Sequence, residues 1–122
     1  MSKTVIYSQA APEPIGPYSQ AIQAGNMLFV SGQIAIQKST GALITDNIEE
    51  ETKQVMINIA EVLKAAGMDF SHVVKSTIFL KDFNDFATVN AIYGKAFTSS
   101  PPARETVEVS RLPKDVSVEI SC

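Results

Sequence analysis

The sequence of 122 residues is poor in several residue types that other protein classes depend on. It has no tryptophan, one cysteine and one histidine, which excludes an internal disulfide framework and leaves no common set of zinc ligands. Ten Lys and Arg residues face thirteen Asp and Glu residues, and a net charge of −3 gives no electrostatic reason to bind nucleic acid or an anionic membrane. No apolar run is long enough to cross a bilayer, and no signal-peptide core follows the first residues. These absences predict a small cytoplasmic protein without a metal site.

The residues that are present suit one globular domain over 1–122. Hydrophobic residues make up 45% of the chain, which is enough for a core and too much for a disordered protein. Charged residues make up only 19%, a low share for a small soluble monomer.

Hydrophobic periodicity and turn residues predict an α+β domain with the order β-β-β-α-β-α-β-β. Asp46 and Glu49 have the form of a capping box for the first helix, and Gly67 stands where a C-terminal cap belongs. Gly25-Asn26 is typical of a two-residue hairpin turn. Strands are predicted over 4–7, 18–24, 27–36, 72–80, 103–110 and 116–122, and helices over 46–67 and from Asp82 or Asn84 to about residue 98.

Two helices can cover only one face of a six-stranded sheet. Several strands are apolar on both faces, as the consecutive residues 27–30 (MLFV) show. An uncovered apolar face on a chain with so little charge would be adhesive. We therefore expect this face to pack against copies of the same chain; the alternative is that loops cover it.

Two charged residues in predicted strands are candidates for chemistry. Arg104 begins a strand, where its planar guanidinium could bind a carboxylate or phosphate with two parallel hydrogen bonds. Its alternative is an exposed or salt-bridged arginine. Glu119 is the lone charge between Val118 and Ile120, so its carboxylate could have a raised pKa and orient a water molecule. Its alternative is a solvated outward side chain.

Other candidates depend on their local context. Tyr18 follows a rigid Gly16-Pro17 loop and could line a pocket or belong to the core. Ser31 and Gly32 interrupt an apolar strand, and the glycine permits close approach of a ligand or another chain. Asn90 in the second helix could serve a site or be an ordinary surface amide. Lys75 in the fourth strand could be a site cation, a salt-bridge partner or a surface lysine.

Several separated motifs resemble the RidA (YjgF) family of reactive intermediate deaminases, and the resemblance covers nearly the whole chain. They are residues 15–20 (IGPYSQ), 30–34 (VSGQI), 84–90 (NDFATVN), 102–104 (PAR) and 107–115 (VEVSRLPKD). The resemblance implies a chorismate-mutase-like fold, with a six-stranded mixed sheet and two helices on one face. It also implies a homotrimer with sites in the clefts between subunits.

The resemblance further implies hydrolysis of 2-imino acids, such as 2-iminopropanoate and 2-iminobutanoate, to 2-oxo acids and ammonia without a cofactor. These imines are released by pyridoxal-phosphate enzymes. By resemblance, Arg104 holds the substrate carboxylate and Glu119 is associated with the water. Tyr18, Ser31, Gly32 and Asn90 match residues lining the cleft, and Lys75 matches a lysine near it.

The chain departs from the family pattern in three places. Glu105-Thr106 follows Pro-Ala-Arg where many members have Ser-Cys or Ser-Thr. Glu105 should point away from Arg104 because neighbouring strand residues face opposite sides, yet it adds negative charge near the site. Thr106 excludes a cysteine nucleophile at that position. The chain ends at Ser121-Cys122, which predicts a short last strand with lost pairings and a frayed cysteine.

The sequence thus predicts a 2-imino acid hydrolase. The alternative is a non-catalytic protein that binds small carboxylate metabolites on the same trimeric scaffold. A third possibility, an endoribonuclease, has been attached to some family members, but the negative net charge and the lack of a basic stripe argue against it.

Overall fold

The computed structural model describes residues 2–122 and confirms the predicted order of strands and helices. Short 3₁₀ turns occupy Phe70–His72, Phe83–Asp85 and Pro113–Asp115. No helix in the described part of the chain has both the length and the apolar character needed to span a membrane. The strands are β1 (Thr4–Ile6), β2 (Ala21–Ala24), β3 (Met27–Val30), β4 (Lys75–Leu80), β5 (Ala103–Glu108) and β6 (Val118–Ser121), and the helices are α1 (Ile48–Ala65) and α2 (Phe86–Gly94).

Both ends of α1 are capped. At the start, the Asn47 side chain accepts a hydrogen bond from the Glu50 amide at 2.8 Å, so the predicted cap at Asp46 is wrong by one residue. Asp and Asn are equally good caps, and the same three-residue spacing fits both positions. At the end, Gly67 has a φ of 72°, and its amide donates to Lys64 O at 2.9 Å, as a glycine cap requires.

The strands form two three-stranded sheets, so the prediction of a single six-stranded sheet is wrong. β1-β2-β3 is antiparallel, whereas β4 lies between parallel β5 and antiparallel β6. The predicted strand over 27–36 ends at Val30: the Ser31 amide still donates to Gln20 O at 2.9 Å in the register of β2 and β3, and the chain then leaves β2, since Gln33 pairs with Ile120 of β6. Within residues 2–122, the two sheets are joined by isolated backbone bonds: Val30 N donates to Cys122 O at 2.7 Å, and Gln33 pairs with Ile120.

The core lies between the helices and one face of the second sheet. Ser76, Ile78 and Leu80 alternate along β4 as buried residues, which confirms the predicted faces of this strand. They pack with buried residues of β6 and of the inner stripe of α1: Val118, Ile120, Val55, Ile59 and Val62.

The opposite faces of the sheets are exposed in the single chain. Val5, Ile22 and Phe29 are cross-strand neighbours in the first sheet, and Val5 and Phe29 remain 59% and 58% exposed. Val107 of β5 is 41% exposed. Within residues 2–122, no loop buries these side chains, which removes the alternative of loop cover for them.

Candidate functional site

The predicted site residues form two groups on opposite faces of the second sheet. Arg104 is the register partner of Ser76, whose side chain is buried under the helices. Glu119 is the register partner of Phe79, which lies on the face of β4 opposite its buried residues. Since paired residues on adjacent strands point to the same side, Arg104 faces the helices and Glu119 faces away. One chain therefore does not bring the two charges together.

Tyr18, Ser31, Gly32 and Glu119 line one cavity of about 650 Å³, and we call them the Glu119 cluster. The Glu119 carboxylate lies directly against Gly32, so that a Cβ at this position would overlap Oε2. The glycine in the interrupted strand is therefore needed for close approach, as the sequence suggests, but the approaching group is a side chain of this chain.

The Glu119 carboxylate is half-buried in that cavity, and no described side chain or amide donates a hydrogen bond to it. Burial raises its pKa above the ordinary value because the charged form loses hydration. Isoleucines 15, 34 and 36 supply much of the apolar wall. A carboxylate with free lone pairs and a raised pKa is suited to accept a proton from water.

The loop that carries Tyr18 is held by Gln20, a residue that the sequence analysis did not select. Its side chain is 2% exposed. The amide oxygen accepts from Ser8 N at 2.6 Å, and the amide nitrogen donates to the carbonyl oxygens of Ser8 at 3.1 Å and Pro12 at 2.9 Å. Ser31 Oγ adds a bond to Ser19 O at 2.6 Å. In the sequence, the sign of this structural role is a polar residue directly before an apolar strand.

Arg104 and Asn90 form the second group with two aromatic rings of α2, and we call these four residues the Arg104 cluster. Arg104 Nη1 donates to Asn90 Oδ1 at 2.6 Å. The guanidinium carbon lies 5.7 Å from the ring centroid of Phe86 and 5.2 Å from that of Tyr93. The rings orient the guanidinium plane, and within the described chain Asn90 is the one acceptor it meets. The remaining donors suit a planar carboxylate. Neither ring was predicted as a site residue from the sequence.

Glu105 points away from Arg104, as predicted, and its charge is neutralised locally. Its carboxylate contacts Thr77 Oγ1 and lies 3.0 Å from Lys75 Nζ. The hydrogen bond from Thr77, followed by the one from Lys75, lowers the Glu105 pKa. Lys75 therefore belongs to this pair and to neither cluster. Thr106 lies on the Arg104 side, and its buried Oγ1 has no partner among the described residues.

The last strand keeps its pairing with β4 over four residues, so the predicted loss of final pairings is wrong for that side. Cys122 is not frayed: its carbonyl accepts from Val30, and burial raises the pKa of its thiol to about 11. Across residues 2–122, no group of three or more His, Cys, Asp or Glu side chains is arranged to hold a metal ion.

Comparison with known proteins identifies the relatives of this chain. The family model described as Endoribonuclease L-PSP matches residues 8–122. A RutC family protein of Pyrococcus horikoshii is 54% identical over 97% of this chain and 94% of that protein. The mouse 2-iminobutanoate/2-iminopropanoate deaminase is 48% identical over 97% of this chain and 87% of that protein. The crystal structure of the Escherichia coli YjgF gene product superposes with a TM-score of 0.92 at 44% identity, covering 97% of this chain and 94% of that one.

Proposed function

The chain belongs to the RidA (YjgF) family, the family of the Endoribonuclease L-PSP model, and from this membership we propose that it hydrolyses reactive 2-imino acids. The proposed substrates include 2-iminopropanoate and 2-iminobutanoate, and the products are the 2-oxo acid and ammonia. A relative of nearly the same length carries this activity in its name. The observation that carries the proposal is the pair of complementary half-sites, an arginine whose guanidinium keeps free donors and a half-buried carboxylate.

Each cluster suits one part of this reaction. The Arg104 guanidinium binds the substrate carboxylate and fixes the adjacent C=N carbon. Glu119 accepts a proton from water as the water oxygen bonds to that carbon, which gives a tetrahedral adduct. Glu119 returns this proton to the nitrogen. The hydroxyl proton of the adduct then passes to the nitrogen by way of the same carboxylate, and as the C–N bond breaks and the C=O bond forms, ammonia leaves. The step needs no metal or cofactor, because an imine conjugated to a carboxylate is already electrophilic.

Because the clusters lie on opposite faces of one sheet, we propose that a complete site needs two copies of the chain. The Arg104 cluster of one subunit would face the Glu119 cluster of its neighbour. The exposed apolar row that includes Val5 and Phe29 supports such assembly, since its burial would be favourable. A homotrimer closes this head-to-tail arrangement with three equivalent sites.

The non-catalytic alternative uses the Arg104 cluster alone. The partnerless Glu119 carboxylate disfavours it, because a carboxylate facing the ligand side would repel a carboxylate ligand and helps only if it handles water or a proton. The endoribonuclease description of the family model has little support in this chain. Its net charge is −3, and among residues 2–122 the one arginine without an acidic partner, Arg104, lies beside aromatic rings. The cytoplasm remains the proposed compartment.

The direct test couples a threonine dehydratase to this protein and follows 2-oxobutanoate formation while semicarbazide competes for the imine. We expect the wild-type chain to divert the flux from the semicarbazone to the free 2-oxo acid in proportion to its concentration. The Arg104→Ala variant is the matched control, because it removes the proposed carboxylate binder. If both proteins leave the semicarbazone yield unchanged while 2-oxobutanoate binds to the wild type, the binding-protein alternative is correct.

A further inference from the structure

The cavity of the Glu119 cluster continues into a second cavity of about 460 Å³. The two share Pro12, Glu13, Ile15, Ile36 and Lys114, whereas the second includes none of the four Glu119-cluster residues. The shared residues therefore form the passage between them. Together the cavities exceed what a substrate with a one- or two-carbon side chain would fill.

Among the charged residues that line the second cavity, Lys114 has no opposite charge to offset it. Glu13 contacts Tyr7 Oη and lies 3.1 Å from Lys38 Nζ, so these two opposite charges offset each other. Lys114 forms no salt bridge with an acid anywhere in residues 2–122. The walls beside it are apolar, since Ile15, Ile36 and Leu43 line the same space.

The backbone fixes Lys114 in this position. Lys114 and Asp115 both have left-handed conformations, with φ angles of 55° and 56°, that non-glycine residues rarely adopt. The turn is held because Asp115 N donates to Leu112 O at 3.0 Å and the Asp115 carboxylate accepts from Arg111 Nε at 2.8 Å. Lys114 therefore lies in a hydrogen-bonded turn directly before β6, the strand that carries Glu119.

We propose that Lys114 makes the site selective for 2-imino acids whose aliphatic side chain ends in a second carboxylate, such as 2-iminoglutarate. The inference depends on the proposed function for the reacting end of the substrate. The side chain would leave the Glu119 cluster through the apolar passage and end at the Lys114 ammonium. An uncharged side chain of the same length would gain the apolar contacts without the ion pair.

The test compares 2-iminoglutarate with 2-iminopentanoate, each generated in place by an amino acid oxidase with semicarbazide as the competing trap. The wild type should show a higher kcat/KM for 2-iminoglutarate. Lys114→Met should lower that value by roughly fivefold and leave 2-iminopentanoate within about twofold, the size expected of a partly exposed ion pair. Higher salt should reduce the wild-type preference and not that of the variant. Lys53→Met, on the outer surface of α1, is the matched control and should change neither substrate.

Two results overturn the inference. One is a wild type that hydrolyses 2-iminopentanoate and rejects 2-iminoglutarate; this leaves the proposed function intact. The other is an equal loss on both substrates in Lys114→Met. If no imine is hydrolysed, the proposed function fails, and calorimetric titration with 2-oxoglutarate and 2-oxopentanoate still decides the role of Lys114. Equal affinities for the two products, or a preference for 2-oxoglutarate that survives in Lys114→Met, would then contradict it.

Discussion

The Arg104 and Glu119 clusters differ in how their charges are compensated. Arg104 has a hydrogen-bond acceptor in Asn90 and two aromatic rings beside its guanidinium, all from one helix. Glu119 has apolar walls, a glycine backbone against its carboxylate and no described donor. The Arg104 charge is therefore stabilised by its neighbours and keeps donors free to bind a ligand, whereas the Glu119 charge is destabilised by burial. The difference indicates a binding half and a reacting half.

The two clusters also differ in their origin within the chain. The Arg104 cluster comes from β5 and α2, which are regular elements. The Glu119 cluster depends on the irregular loop before β2 and on the interruption after β3, both held by Gln20. We expect the binding half to resist small backbone changes and the reacting half to be sensitive to them. The following variants test this comparison, in order of decreasing expected effect.

Arg104→Ala should have the largest effect. Loss of a guanidinium that binds a carboxylate in a cleft closed by the neighbouring subunit costs on the order of 3–5 kcal/mol, so kcat/KM for imine hydrolysis should fall by more than about 10²-fold. Arg104→Lys keeps the charge and loses the planar fork, so it should lose most activity while remaining assembled. Light scattering and turnover on the same preparations check both variants, and full activity in an assembled Arg104→Ala protein would remove the binding role.

Glu119→Gln should lower kcat/KM by about 10²-fold, the usual contribution of a general base. Wild-type kcat/KM should fall with decreasing pH through an apparent pKa above 4.5, because burial raises the pKa of this carboxyl.

The stability of the folded protein should depend on pH in the opposite direction from its activity. Because the pKa of Glu119 is higher in the folded than in the unfolded state, its ionisation lowers the free energy of unfolding. This destabilisation is absent below the unfolded-state pKa near 4.5 and develops as pH rises through the folded-state pKa. The variant should therefore melt higher than wild type at pH 7, and the gain should vanish at low pH. A lower Tm at pH 7 would contradict this assignment.

Gly32→Ala should reduce activity by roughly tenfold, because the new Cβ displaces the Glu119 carboxylate without removing it. Gly94→Ala, at the end of α2, is the matched control: its Cβ meets no atom within 4 Å, so activity should not change. Circular dichroism and turnover on both proteins separate a local shift from unfolding. Equal activity of the two variants would show that the contact between Gly32 and Glu119 has no role.

Glu105→Ala should have the smallest effect, less than about twofold in kcat/KM, because exposed ion pairs contribute little and this carboxylate faces away from Arg104. The measurement also tests the departure from the family pattern at this position. A large gain in substrate affinity in the variant would mean that Glu105 does weaken anion binding at Arg104.

The sequence was sufficient for the order of elements, because the stripe of α1 and the alternation of β4 reflect burial directly. It was insufficient for the sheet, since the chain leaves β2 after Ser31 and Gln33 pairs with Ile120 of β6, a contact across the fold that periodicity does not contain. Six of the eight residues of the two clusters could be named as candidates from the sequence, and the rings of Phe86 and Tyr93 could not. Their division into two clusters could not, because it follows from the register of β5 and β6 on β4.

The central claim is that one site takes its Arg104 and its Glu119 from different subunits, and complementation of two inactive variants tests it most directly. Arg104→Ala and Glu119→Gln chains are co-expressed with different tags, and turnover is measured on the mixed assembly. In a randomly mixed trimer, an intact cleft takes its Arg104 from a Glu119→Gln chain and its Glu119 from an Arg104→Ala chain. Each choice has a probability of about one half, so about one quarter of the sites should be intact. We predict that the mixture recovers roughly a quarter of wild-type activity. If the mixed assembly forms and stays as inactive as its parents, both residues act within one chain and the claim is wrong.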